Sequence, residues 1–227
     1  MTTTQLTILG FVLLFLGTTL GSAVVLFVRK ELSERLNTLF LGFAGGIMIA
    51  ASVWSLLIPA IDSASAKWGD LSWVPAAIGF LIGGLFLVLL DRVIPHIHNH
   101  THEEEGPKSQ IHKTIKLFFA VTIHNIPEGI AVSIPILHAT GSRRKALTYT
   151  MWTGLAEPIG AIFGIVFLLP FWTPIVSALL LAAVSGIMVF IALDELLPGA
   201  EEYGHHHYSI AGVILGMLIM AISLLIL

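Results

Sequence analysis

The 227 residues include no cysteine, which rules out disulfides and thiolate metal sites together. Charge is scarce as well. Lys, Arg, Asp and Glu make up 11% of the chain, where soluble domains average about 25%. No basic face stands out and the net charge is only −3, so nothing points to nucleic acid as a partner. No basic side chain precedes the first apolar stretch, and that stretch, 6–28, is longer than the core of a secretory signal. The basic pair Arg29-Lys30 follows it, so it reads as an uncleaved first span with its N-terminus outside. What remains is hydrocarbon: 56% of the residues are hydrophobic and the mean hydropathy is +0.92. The expectation is an all-α integral membrane protein, a helical bundle resident in the inner (cytoplasmic) membrane as a multi-pass chain.

Seven spans can be drawn, at 6–28, 37–58, 71–94, 115–138, 146–169, 173–197 and 209–227. Only short polar breaks separate most of them, so residues 1–227 read as a single transmembrane domain with a His-rich loop at about 95–114. Glycines recur four apart at Gly42/Gly46, Gly79/Gly83, Gly160/Gly164 and Gly212/Gly216, the spacing that lets helix backbones approach closely in lipid. The basic residues gather in three loops: Arg29, Lys30 and Arg35; Arg92, Lys108, Lys113 and Lys116; Arg143, Arg144 and Lys145. All three should be cytoplasmic. Only one drawn span separates the second from the third, and one crossing cannot begin and end on the same side. Either a basic loop is forced outward, or that span is re-entrant, or one membrane helix is absent.

That span carries His124-Asn125-Ile126-Pro127-Glu128-Gly129 in otherwise apolar surroundings. An imidazole and a carboxylate at that depth cost several kcal/mol, so they point to a function. His124 and Glu128 are four apart and Asn125 and Glu128 three apart, which puts all three on one helical face. Pro127 has no N–H, so the Ile123 carbonyl loses its helical partner beside them. Of the 14 acidic residues, only Glu128 and Glu157 lie well inside drawn spans. Glu157 stands in Gly154-Leu155-Ala156-Glu157-Pro158-Ile159-Gly160, where Pro158 frees the Gly154 carbonyl in the same way. Two readings of Glu157 compete: a buried carboxylate bonded to a Ser or Thr of a neighbouring helix, or the residue that completes a site with His124 and Glu128. The second is preferred. One imidazole and two carboxylates suit Zn²⁺, Fe²⁺, Mn²⁺ and similar divalent ions and discriminate poorly among them.

These two motifs, together with Asp91-Arg92-Val93-Ile94-Pro95-His96 and Asp194-Glu195-Leu196-Leu197-Pro198, resemble the ZIP (Zrt-/Irt-like) family of divalent metal transporters in its bacterial branch. The resemblance covers essentially the whole chain. It implies transport of divalent cations toward the cytoplasm by alternating access between two helix groups. Zinc is the leading substrate, with iron, manganese, cobalt or cadmium as others, and no organic cofactor is expected. It implies a metal site of His124, Asn125, Glu128 and Glu157, and a homodimer in the lipid bilayer. Met48 resembles a second-helix ligand of some members, though packing explains a methionine there equally well. Accessory metal candidates are His96, His98, His100 and His102 in the loop, His205, His206 and His207 before the last span, and Asp91, Asp194 and Glu195 at span ends.

The family pattern has eight spans and repeats the [HQ][ND]xPEG-type motif on its fourth and fifth helices, whereas this chain holds one copy. The span at 115–138 therefore resembles a hybrid that enters as the fourth helix and leaves as the fifth, and His124 could belong to either. A transport-impaired metal-binding relative and an intramembrane zinc hydrolase are the alternatives, but the chain has no HExxH pattern to support the hydrolase.

Overall fold

The computed structural model describes residues 3–27, 33–93, 125, 128–130, 132–134, 136–137 and 140–226. Every regular element among the described residues is helical. The α-helices among them, in chain order, are α1 (Thr3–Ser22), α2 (Val24–Phe27), α3 (Glu34–Ala51), α4 (Ile58–Trp68), α5 (Trp73–Val93), α6 (Arg143–Leu168), α7 (Pro174–Ile191), α8 (Leu197–Glu201) and α9 (His206–Ile226). The described positions between 125 and 140 are helical too. Among the described residues, five helical stretches are long and apolar enough to cross a membrane: Thr7–Phe27, Glu34–Leu71, Arg143–Phe171, Pro174–Glu201 and His206–Leu225. α5 is apolar as well, from Trp73 to Leu89.

Local chemistry sets several boundaries. The Ser33 hydroxyl accepts from Leu36 N at the start of α3, Ser142 accepts from Lys145 N at the start of α6, and Thr173 accepts from Val176 N ahead of Pro174. Each satisfies one of the orphan amides of a first turn. The 125–140 segment closes at Gly141, whose φ of 61° and N–H to Leu137 O at 2.8 Å form a left-handed cap that a side chain would strain.

Two helices run past the ends drawn for their spans. The second span was expected to end at 58 and the sixth at 197, yet helix continues to Trp68, capped by Gly69 at a φ of 50°, in one case and to Glu201 in the other. A π-helical segment, Ser52–Leu57, precedes Pro59, and a second, Ala192–Leu196, precedes Pro198. The wider turn leaves room for a proline ring and its missing N–H, so the helix passes through instead of stopping. At the first of these turns the Ser185 hydroxyl of α7 donates to the Ser52 carbonyl at 2.8 Å. The helical run from Glu34 to Trp68 is roughly 50 Å long at a helical rise and outruns the hydrocarbon core.

Packing divides the helices into two groups. The α1 helix lies along α6, whereas α3 lies along α9 and α5 along α7, with α4 also on α7. Among the described residues no substantial packing joins α1, α2 and α6 to the others. Glycines bring the second group together. A Cβ on Gly46 would stand 2.2 Å from the Val213 carbonyl oxygen, and one on Gly216 2.2 Å from that of Phe43. Gly42 and Gly212 make the same approach in the α3–α9 seam, and Gly79, Gly83 and Gly186 make it between α5 and α7. Three of the four glycine pairs read from the sequence thus mark real backbone contacts. In the fourth, Gly164 has no described neighbour within 4 Å.

Candidate metal site

The first helix group holds the chemistry. Leu14 and Thr18 are four apart on α1, on one face, and both are buried. Opposite them on α6 lie Gly154 and Glu157, whose spacing of three also puts them on one face. Without a side chain at Gly154, Thr18 comes close: a Cβ there would meet Thr18 Cβ at 3.0 Å. The Thr18 hydroxyl then donates to Glu157 Oε1 at 2.5 Å. From the third element, Asn125 donates through Nδ2 to Glu157 Oε2 and to the Leu14 carbonyl at 3.3 Å. Gly129, at the end of the HNIPEG motif, lets the 125–140 segment sit directly on α1, with its missing Cβ aimed 2.0 Å from the Thr18 carbonyl oxygen.

Glu157 is only 2% exposed and Asn125 6%. Burying a carboxylate without partners would be very costly, and two donors from two different elements offset that cost here. Nδ2 of Asn125 faces both acceptors, so Oδ1 would reach a cation beside Glu157 once the amide turns. The arrangement is an oxygen-rich cluster: a carboxylate and an amide oxygen, with a threonine hydroxyl at the back. Such a set suits a divalent cation better than an organic ligand.

The register of these contacts also fixes a direction. Asn125 meets Leu14, and four residues on, Gly129 meets Thr18 and Ser22. Residue numbers rise together along both elements, so the 125–140 segment runs parallel to α1.

Of the residues expected at the site, the structure joins Asn125 and Glu157 by a direct hydrogen bond. Glu128 is helical and half-buried, one turn beyond Asn125. His124 lies outside the described residues, as do His96, His98, His100 and His102. Met48 packs against the cluster of Leu41, Ala44, Leu196 and Ala200 in the second helix group, as the packing reading of that residue requires. Asp91 sits in the last turn of α5, Asp194 is exposed and Glu195 half-buried, both on the second π-helical segment. Among the described residues no three His, Asp or Glu side chains converge. The terminal histidines pair singly instead: His205 Nε2 lies 3.7 Å from Glu34 Oε2, and His206 Nδ1 lies 2.8 Å from Glu201 Oε2. Beside them, burial pushes the Tyr203 phenol above its ordinary range and the Glu202 carboxylate adds to the effect.

Thr18 was not anticipated. The bonded-carboxylate reading of Glu157 foresaw a hydroxyl on a neighbouring helix, and the structure supplies it together with Asn125 from the motif. The two readings of Glu157 are therefore compatible.

The sequence model of the family described as ZIP Zinc transporter matches residues 4–116 and 106–224. The chain is 41% identical to the zinc transporter ZupT of Streptococcus mutans serotype c, with 93% of each chain covered. It is 40% identical to the zinc transporter ZupT of Chlorobium phaeovibrioides, over 93% of this chain and 94% of the relative. With that of Nitratidesulfovibrio vulgaris it shares 38% identity, again with 93% of each chain covered. That alignment runs over 259 positions and this chain has 227 residues, so at least 32 positions stand opposite gaps in it.

Proposed function

The chain belongs to the ZIP family of zinc transporters, and we propose that this member carries Zn²⁺ through the inner membrane toward the cytoplasm. It is a membrane protein and a transporter, which sets the hydrolase reading aside. The observation that carries the proposal is the hydrogen bond from Asn125 to Glu157, because it places the HNIPEG and GLAEPIG motifs at one buried point between three elements. Asn125 Oδ1, the carboxylates of Glu128 and Glu157 and the imidazole of His124 form the ligand set. Iron, manganese, cobalt and cadmium are further substrates such an N/O set would accept. The division of the described helices into an α1–α2–α6 group and an α3–α5, α7–α9 group supplies two bodies that alternate access by moving past each other. A homodimer in the bilayer completes the proposed arrangement.

The single motif copy leaves one cation site where the family's pattern offers ligands from two helices. The gaps opposite relatives, and the break of the family match into two stretches near 106–116, support a missing segment next to this motif. Glu128→Ala is expected to reduce zinc uptake to background in metal-starved cells. Equal uptake by the two proteins would overturn the site, and zinc binding without flux in proteoliposomes would overturn transport.

The parallel course of α1 and the 125–140 segment brings Arg143 to the end of the bundle where α1 finishes and Arg35 begins α3. This agrees with the charge rule for the first and third basic loops. The natural absence of cysteine makes the check simple. Single cysteines at Arg35 and Arg143 are expected to react with an impermeant maleimide from the same side; labelling from opposite sides would refute the orientation.

A further inference from the structure

We propose that Thr18 of α1 is a positioning residue for the cation site: its hydroxyl holds the Glu157 carboxylate in the orientation that receives the metal. The inference rests on the transport reading above and adds a helix to the site that neither motif reaches. Thr18 uses three sides at once. Its carbonyl lies against Gly129, its side-chain carbons lie against Gly154, and its hydroxyl donates to Glu157 Oε1. It is fully buried, so no solvent competes for that hydroxyl. A glycine on each facing element is what lets it approach both.

The two carboxylate oxygens of Glu157 have different partners, and this gives them different roles. Oε1 is held by Thr18, and Oε2 is held by Asn125 Nδ2. Asn125 is itself a proposed ligand, and a cation needs its Oδ1 in place of its N–H. On cation entry the Asn125–Oε2 bond is the one exchanged: the amide turns and Oε2 passes from an N–H to the metal. The Thr18 bond has no such conflict, because a hydroxyl donating to Oε1 leaves that oxygen a further lone pair. Thr18 therefore keeps the carboxylate fixed while the other bond is traded, so the ligand does not have to be ordered anew with each ion.

The test is zinc transport kinetics in proteoliposomes, with melting temperature measured on the same preparations. Thr18→Val keeps the branched shape and removes the donor to a charged acceptor, and is expected to raise KM about tenfold while Vmax stays within about twofold. Thr18→Ser restores the hydroxyl and is expected to bring KM back to within about threefold of the native protein. A residue that only packs helices would lower stability and the active fraction, and so Vmax, without moving KM. An unchanged KM in Thr18→Val overturns the proposal, and so does a KM raised equally in Thr18→Ser. Glu128→Ala in the same assay keeps the two levels apart. If it transports normally the site itself is misassigned; if it is inactive while Thr18→Val is unaltered, only the positioning role fails.

Discussion

Replacing Glu157 by glutamine is expected to cut the initial rate of zinc transport by at least about a hundredfold, since loss of a mere supporting partner at a metal site already costs 10–100-fold. The protein should remain folded. Glutamine has nearly the same shape, and its carbonyl oxygen still accepts from the Thr18 hydroxyl that now donates to Oε1. Its amide nitrogen would face Asn125 Nδ2, donor against donor, at the place where Oε2 now accepts. Turning the Asn125 amide relieves that conflict, but then Oδ1 points at glutamine and is lost to a cation. One substitution therefore removes the charge and occupies a second ligand, and the two effects act in the same direction. Uptake of labelled zinc into proteoliposomes measures the first consequence, and thermal unfolding in detergent measures the second. A Glu157→Gln protein that transports at the native rate would remove Glu157 from the site, whatever its stability.

Much of this was legible in the residues. A membrane bundle follows from scarce charge and long apolar runs. Asn125 and Glu157 could be found because polar groups at that depth are costly and because prolines beside acidic residues mark interrupted backbones. Thr18 could not be found in the same way. A hydroxyl in an apolar span costs little and can bond its own helix, as Ser22 does to Thr19 O and Thr150 to Ala146 O. Nothing local separates those from Thr18, whose partner lies 139 residues away. The glycine spacing succeeded for Gly42/Gly46, Gly79/Gly83 and Gly212/Gly216, whereas Gly164 has no neighbour within 4 Å. Spacing shows that a helix could be approached closely, and only the neighbour decides whether it is. The helices running through Pro59 and Pro198 show a related limit. A proline ends an α-helix, but a preceding π turn absorbs it, and the turn has no strong sequence signature.

The glycine seams lead to a second large effect, in which one substitution has opposite consequences at two places. At Gly83 a Cβ would stand 1.9 Å from the Ala183 carbonyl oxygen and 2.7 Å from its carbonyl carbon. Both atoms are backbone of α7, so no rotamer change can relieve the clash and the helices must separate. Separation also loosens the contacts at Gly79 and Gly186 in the same seam. In lipid there is little hydrophobic drive to bring the pair back, because close packing is itself much of what holds membrane helices together. Gly83→Ala is therefore expected to destabilise by about 3 kcal/mol, at the upper end for overpacking. At Gly164, where nothing stands within 4 Å, the same change only replaces a poor helix former by the best one and should gain up to about 1 kcal/mol. Thermal unfolding of both variants in one detergent reads the comparison directly: Gly83→Ala should melt well below the native protein and Gly164→Ala at or above it. If the two melted together, the close approach of α5 and α7 would not be what holds the second helix group rigid.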